Sequence, residues 1–209
     1  MQSHFNLKTN ERLVMSDDRS LDRKNAVPAI VGNPDDFLII CGLAGASKDI
    51  AHLKNDGDNI FTMAGAMGGA TAMGLGLALS RPDKKVLVVT GDGELLMNVG
   101  TLATVGILKP ANLSILCVDN GHYGETGYQE SHTQRGVDLD LIAQGSAIPI
   151  TRTIDREDQM VEAKQLLRDS NGTTFILLRV NTEPPPSIKR SMDATERKIA
   201  FRRALLGNA

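Results

Sequence analysis

The chain has 209 residues, of which 41% are hydrophobic and 23% charged, and its formal net charge is −2. This length predicts one substantial core in one compact domain with tails. Because there is no basic excess, nucleic acid is not an expected partner. No apolar run is long enough for a membrane span, and the polar N-terminus lacks the core of a signal peptide, which predicts a cytoplasmic protein.

The first part of the chain predicts short elements. Residues 1–20 show no sustained periodicity and predict an N-terminal arm, whereas residues 21–31 are amphipathic and predict a helix. FLIIC at 37–41 is typical of a buried strand, and a glycine turn leads from it to KDIAHL at 48–53, which predicts the start of a helix. IFTM at 60–63 is a second short apolar run.

The middle of the chain combines glycine-rich and fully apolar segments. Residues 66–80 have a helical apolar pattern with several glycines, each of which costs a helix about 1 kcal/mol relative to alanine. Close packing must compensate, either against a partner or against the chain's own sheet. KKVLVVT at 84–90 predicts a buried strand, residues 94–108 predict one apolar helix, and NLSILCV at 112–118 predicts the next buried strand.

The last part of the chain begins with a long polar loop at 119–136. A short helix is predicted at 139–147, a strand at 148–154, an amphipathic helix at 156–170 and a final apolar strand at 173–180. Apolar strands that alternate with helices predict an α/β fold, with a mostly parallel sheet and helices on both faces.

The predicted domain spans residues 21–182. Residues 183–209 follow it as a Pro-rich segment that ends in a basic helix.

Two turns with oxygen-bearing side chains follow neighbouring predicted strands. Gly91-Asp92-Gly93 follows the strand at 84–90, and Asp119-Asn120-Gly121 follows the strand at 112–118. The 26 residues between Gly93 and Asn120, from 94 to 119, suffice for one helix and one strand, so the turns are expected side by side. Ligands of parallel sheets bind beyond the carboxyl ends of the strands, where both turns lie.

These turns together predict a site for a divalent cation and a diphosphate. Asp92 offers a carboxylate, Asn120 an amide oxygen and His122 a main-chain oxygen, which is the oxygen-rich set that Mg²⁺ prefers when a substrate phosphate completes its shell. Taken alone, either turn is equally well explained by the backbone preferences of Gly, Asp and Asn.

The pair of turns resembles the cofactor motif of thiamine diphosphate (ThDP) enzymes, in which GDG is followed at a similar distance by Asn-Asn. The resemblance covers roughly residues 21–182 and is strongest to sulfopyruvate decarboxylase β subunits and the corresponding half of phosphonopyruvate decarboxylase. It implies the ThDP diphosphate-binding domain fold, with ThDP and Mg²⁺ as cofactors. It also implies that Asp92, Asn120 and the main chain of His122 are the metal ligands. Asp119 departs from the family pattern, since it replaces the first Asn.

The resemblance implies further cofactor contacts upstream of the GDG turn. Met67 matches the bulky apolar residue that holds the cofactor in a V shape, although a core methionine is the simpler alternative. Gly65 would present its carbonyl to the aminopyrimidine. Ser47 would approach the diphosphate, and the helix N-cap before KDIAHL explains it equally well.

Other implied contacts surround the diphosphate. Gly91 and Gly93 flank the metal ligand, and Glu94 stands where many relatives have Ser. Glu94 would offer its backbone N–H at a helix N-terminus while its carboxylate points away. Tyr123 and Gly124 begin the loop, up to Thr133, that would cover the cofactor. Glu125, Gln129 and His132 in that loop would face either substrate or solvent.

No catalytic side chain is expected in this chain. In the family, the glutamate that binds N1′ of the cofactor comes from a different, pyrimidine-binding domain. A pyrimidine-domain α subunit is therefore the expected partner, in a hetero-oligomer that decarboxylates an anionic 2-oxo acid. The alternatives are the β subunit of a 2-oxo acid oxidoreductase, a ThDP-dependent carboligase, or a non-enzymatic Mg-diphosphate-binding module.

Overall fold

The computed structural model describes residues 19–169 and 171–207, so the predicted arm lies almost entirely outside the described residues. The strands in chain order are β1 (Leu38–Cys41), β2 (Ile60–Thr62), β3 (Val86–Gly91), β4 (Leu113–Asp119), β5 (His122–Tyr123), β6 (Gln129–Glu130), β7 (Ile150–Ile154) and β8 (Thr174–Arg179). Six of them form one parallel sheet in the order β2-β1-β3-β4-β8-β7, while β5 and β6 form a separate antiparallel pair.

Helices cover both faces of the sheet, which confirms the predicted architecture. They are α1 (Arg23–Val31), α2 (Gly45–Leu53), α3 (Ala70–Ser80), α4 (Asp92–Leu96), α5 (Thr101–Leu108), α6 (Leu139–Gly145), α7 (Met160–Asp169) and α8 (Ala194–Leu206), with 3-10 turns at Pro34–Asp36 and Glu157–Gln159. Helices α1, α2 and α7 pack on one face, and α3, α5 and α6 pack on the other. None of the described helices is long and apolar enough to cross a membrane.

The central strands read as continuous apolar runs because both of their faces are buried. In β1, Ile39 and Cys41 join the core under α1 and α2, whereas Leu38 and Ile40 join the core under α3 and α5. The same alternation continues through β3, β4 and β8.

In the middle of the chain, two predicted helices were wrong in their extent. The helix expected at 94–108 is two helices, α4 and α5. In the segment that connects them, the backbone hydrogen bonds have i+3 spacing, such as the one from the Thr101 N–H to the Asn98 carbonyl at 3.0 Å. The helix expected at 66–80 begins only at Ala70, because Gly65 and Gly68 have φ of 145° and 78° in the preceding loop.

The glycines of α3 do not all serve the same purpose. A Cβ on Gly74 would clash with the Val88 side chain, so this glycine lets α3 lie close against β3. Gly76 faces open space. Close packing against the chain's own sheet therefore explains Gly74 and leaves Gly76 unexplained.

Candidate functional site

The two oxygen-bearing turns lie side by side, as the sequence predicts. Strands β3 and β4 are neighbours, and Gly91 at the end of β3 is in register with Val118 of β4. Asp92 is the first residue of α4, and Asn120 directly follows β4. Both side chains thus sit at the carboxyl edge of the sheet.

A pocket opens at this edge, between the ends of β3 and β4 and the loop from β1 to α2. All the predicted site residues except Ser47 and Gly65 line it: Met67, Gly91, Asp92, Gly93, Glu94, Asn120, His122, Tyr123 and Gly124. Residues that are far apart in sequence therefore share one cavity of mixed polar and apolar character.

Ser47 and Gly65 lie apart from the pocket lining. Ser47 is fully buried in the first turn of α2, and its hydroxyl donates to the Ala44 carbonyl at 2.9 Å. The N-cap explanation of Ser47 is wrong, since α2 begins at Gly45 and its N-cap is Ala44. Gly65 is exposed in the loop before α3.

Asp92 is held by two hydroxyl groups that sequence patterns did not single out. The Ser131 hydroxyl donates to the Asp92 carboxylate, and the Thr133 hydroxyl lies 3.2 Å from Asp92 Oδ2. Burial and the nearby Asp119 charge raise the Asp92 pKa to about 6, against the opposing effect of these hydrogen bonds. Ser131 and Thr133 are buried on either side of the exposed His132, so the signal in the sequence was a pair of hydroxyl residues two positions apart.

Asp119 belongs to the same network. Thr133 Oγ1 lies 2.7 Å from Asp119 Oδ1, and the Gly121 N–H donates to the same oxygen at 2.9 Å. Arg19 pairs with Asp119 Oδ2 at 3.3 Å. Because Thr133 has a single hydroxyl proton, it donates to one carboxylate at a time, and its shorter contact is with Asp119. The residue that departs from the family pattern thus anchors the loop that holds Asp92.

The Asn120 turn is fixed by local hydrogen bonds. The His122 N–H donates to Asn120 Oδ1 at 3.2 Å, and His122 Nδ1 lies 2.9 Å from the Asn120 carbonyl. The amide oxygen retains a second lone pair for a ligand.

The Glu94 carboxylate does not turn away from the site. It is 5% exposed, and its Oε2 accepts hydrogen bonds from the Leu43 N–H and the Thr90 hydroxyl, both at 3.1 Å. Its Oε1 has no partner within the described residues. A Cβ on Gly42 would clash with this carboxylate, so the turn after β1 needs glycine here. Burial raises the Glu94 pKa.

Apolar and aromatic groups shape the rest of the pocket. The Tyr123 ring lies across Gly93, where a Cβ would clash with it. Met67 is 36% exposed and lines the cavity, so the alternative of a core methionine is wrong.

The donor chemistry fits a Mg²⁺ ion that shares its shell with a phosphate. No cluster of three or more His, Cys, Asp or Glu side chains suited to a metal lies among residues 19–169 and 171–207. For a metal, the pocket offers the Asp92 carboxylate, the Asn120 side chain and the main chain of His122, and Mg²⁺ bound by few carboxylates commonly takes its other ligands from phosphates.

Comparison with known proteins decides the family. Residues 45–178 match the family described as "Thiamine pyrophosphate enzyme, C-terminal TPP binding domain". The chain belongs to the thiamine pyrophosphate (ThDP) enzymes. This membership confirms the resemblance and identifies ThDP as the cofactor of the matched domain.

Two curated relatives indicate which kind of ThDP enzyme this chain resembles. Sulfopyruvate decarboxylase subunit beta of Methanocaldococcus jannaschii is 36% identical over 169 residues, which cover 77% of this chain and 89% of that protein. Phosphonopyruvate decarboxylase of Streptomyces viridochromogenes is 35% identical over 147 residues, which cover 70% of this chain but 36% of that protein. This ThDP enzyme chain is thus similar to two decarboxylases, one of which is named as a subunit.

A solved structure confirms the fold. A thiamin diphosphate-dependent enzyme from Mycobacterium smegmatis superposes with a TM-score of 0.62 at 17% identity, covering 77% of this chain and 32% of that one. At this identity the likeness concerns the fold alone.

Proposed function

We propose that this chain is the β subunit of a ThDP- and Mg²⁺-dependent decarboxylase of anionic 2-oxo acids, of the sulfopyruvate or phosphonopyruvate type. The observation that carries the proposal is the convergence of Asp92 and Asn120, from the ends of adjacent strands, in one pocket. The names of the two curated relatives support the reaction and the substrate class. The domain is assigned to residues 21–182, since Leu21 pairs with Val180 beside the sheet.

The predicted site residues that line the pocket each have a role in this proposal. Asp92, Asn120 and the His122 carbonyl would hold Mg²⁺, and the backbone of Gly91, Gly93, Glu94 and Gly124 would surround the diphosphate. Met67 would support the cofactor from below, and the Tyr123 ring would close the cavity. When bound, ThDP supplies the electron sink that decarboxylation of a 2-oxo acid requires.

The partner is proposed to be a pyrimidine-domain α subunit that supplies the catalytic glutamate. One relative is named subunit beta, and this chain covers 89% of it. Three methionines that follow or line the pocket segments are exposed, Met67, Met73 and Met97, at 36%, 40% and 64%. Met97 Cβ would lie 3.3 Å from a Cβ on Gly68, the residue after Met67, and we call the three residues the methionine face. Flexible methionines suit a protein interface, and this one continues into the cofactor pocket.

The partner assignment is tested by a charge on the methionine face. Met97→Asp is expected to weaken assembly with a co-expressed α subunit by about tenfold, because an unpaired carboxylate would be buried at the interface. Met192→Asp is the matched control, since Met192 is 54% exposed outside that face. Equal affinities of the two variants, measured by analytical ultracentrifugation, would contradict this interface.

The activity is tested with the assembled complex, ThDP and Mg²⁺. Sulfopyruvate and phosphonopyruvate are expected to release CO₂ and yield the aldehyde without an electron acceptor. Turnover only with an acceptor would identify a 2-oxo acid oxidoreductase, and a longer hydroxyketone product would identify a carboligase. ThDP binding without turnover of any 2-oxo acid would leave the non-enzymatic binding module as the correct function.

A further inference from the structure

A buried ion pair lies beneath the first turn of α2. Arg23 and Asp49 are 4% and 1% exposed, and they join the first residue of α1 to the middle of α2. Arg23 Nε lies 3.0 Å from Asp49 Oδ1, and Nη2 lies 2.6 Å from Oδ2. The aspartate therefore uses two of the three guanidinium nitrogens.

No described residue uses the third guanidinium nitrogen. Arg23 Nη1 makes no hydrogen bond with any residue in the described parts of the chain. Arg23 nevertheless lines the pocket, together with Gly45 and Ala46 of α2. A Cβ on Gly45 would lie 2.9 Å from Nη1, so glycine at this position lets the guanidinium approach the helix backbone closely. Nη1 therefore lies beside the first backbone N–H groups of α2, which have no carbonyl acceptors within the helix.

Stability alone gives a poor account of this pair. Burying two charges costs desolvation energy, and replacing such a pair with apolar residues is often neutral or stabilising. The charges of the pocket favour a binding role. The lining has three carboxylates, Asp92, Glu94 and Glu125, whereas Lys48 is already paired with Glu125 at 2.9 Å. Arg23 is the buried cation of the lining.

We infer that Arg23 binds the diphosphate of the cofactor through Nη1, and that Asp49 is the residue that positions its guanidinium. This inference rests on the proposed function, because the diphosphate is the polyanion that the pocket would hold. A guanidinium is suited to this role because it donates to phosphate oxygens in fixed directions and stays charged when buried. Metal and arginine would then engage the anion from the two sides of the cavity.

The test is calorimetric titration of the complex assembled with the α subunit, using inorganic pyrophosphate and ThDP, each in the presence of Mg²⁺. Arg23→Met combined with Asp49→Leu removes both charges, so that neither is left buried and unpaired. This variant is expected to bind both ligands roughly tenfold or more weakly, while its affinity for Mg²⁺ alone stays within about twofold of wild type. Arg168→Met combined with Asp36→Asn is the control, since that pair lies outside the pocket lining.

A second variant keeps the test informative if the first variant does not fold. Arg23→Lys keeps a cation for Asp49 but has no second donor edge, so it is also expected to lose roughly tenfold in pyrophosphate affinity. Wild-type affinity in the folded Arg23 variants, or an equal loss in the Arg168 control, overturns the inference and leaves the proposed function standing. Failure of the wild-type complex to bind either ligand overturns the proposed function, and the inference with it.

Discussion

The pocket has two walls that are built in different ways. The strand-end wall, formed by Asp92, Asn120 and the loop that carries Ser131 and Thr133, is a network of buried side-chain hydrogen bonds. The loop wall, residues 42–46 from the end of β1 into the first turn of α2, consists of Leu43 and four small residues. The strand-end wall depends on side-chain oxygen atoms held in fixed positions. The loop wall depends on glycines, because a Cβ at Gly42 or Gly45 would clash with a neighbouring side chain.

This difference assigns a separate task to each wall. A hard cation needs oxygen ligands that are already oriented, and neighbouring hydrogen bonds provide that orientation. An anion is bound well by backbone N–H groups at a helix start, which must be reached without steric obstruction. We therefore expect changes in the strand-end wall to affect metal-dependent binding, and changes in the loop wall to affect packing as well.

The largest effect is expected at the metal ligand. Asp92→Ala removes the only carboxylate of the proposed Mg²⁺ set, so its ThDP affinity in the presence of Mg²⁺ should fall by roughly 100-fold or more. Because burial and Asp119 raise the Asp92 pKa, the ligand-free variant should be at least as stable as wild type. Asp83→Ala, at an exposed site, is the control. Unchanged ThDP affinity in Asp92→Ala would refute the metal assignment.

An intermediate effect is expected in the loop wall. Gly42→Ala places a methyl group against the Glu94 carboxylate, and such overpacking should cost about 1–3 kcal/mol in the free energy of unfolding. Gly76→Ala meets open space within α3 and should stabilise the chain by about 0.5–1 kcal/mol. Urea denaturation measures both variants, and a stable Gly42→Ala protein would show that the loop wall tolerates side chains.

The smallest effect is expected from the hydroxyl that supports Asp92. Ser131→Ala removes a hydrogen bond to the carboxylate but no ligand, so Mg²⁺-dependent ThDP affinity should fall about tenfold. Ser146→Ala, which removes a hydroxyl bonded within α6, should leave that affinity unchanged. The comparison of the two walls would lose its basis if the two serine variants bound ThDP equally.

The sheet and the neighbouring positions of the two polar turns were predictable because they rest on strong local patterns. Apolar runs marked β3 and β4, and each was followed directly by its polar turn. Ser131 and Thr133 could not be assigned in the same way, because hydroxyl residues in a loop have many local uses. The Arg23–Asp49 pair joins two helices 26 positions apart, and no sequence period reports such a contact.

The central claim is that Asp92 and Asn120 share one metal ion that binds the diphosphate of ThDP. The most direct measurement is a crystal structure of the chain with ThDP and Mn²⁺, recorded at a wavelength where manganese scatters anomalously. The predicted result is one anomalous peak bonded to both side-chain oxygens and to the diphosphate. Bound ThDP with the manganese peak elsewhere, or with no peak at all, would contradict the account.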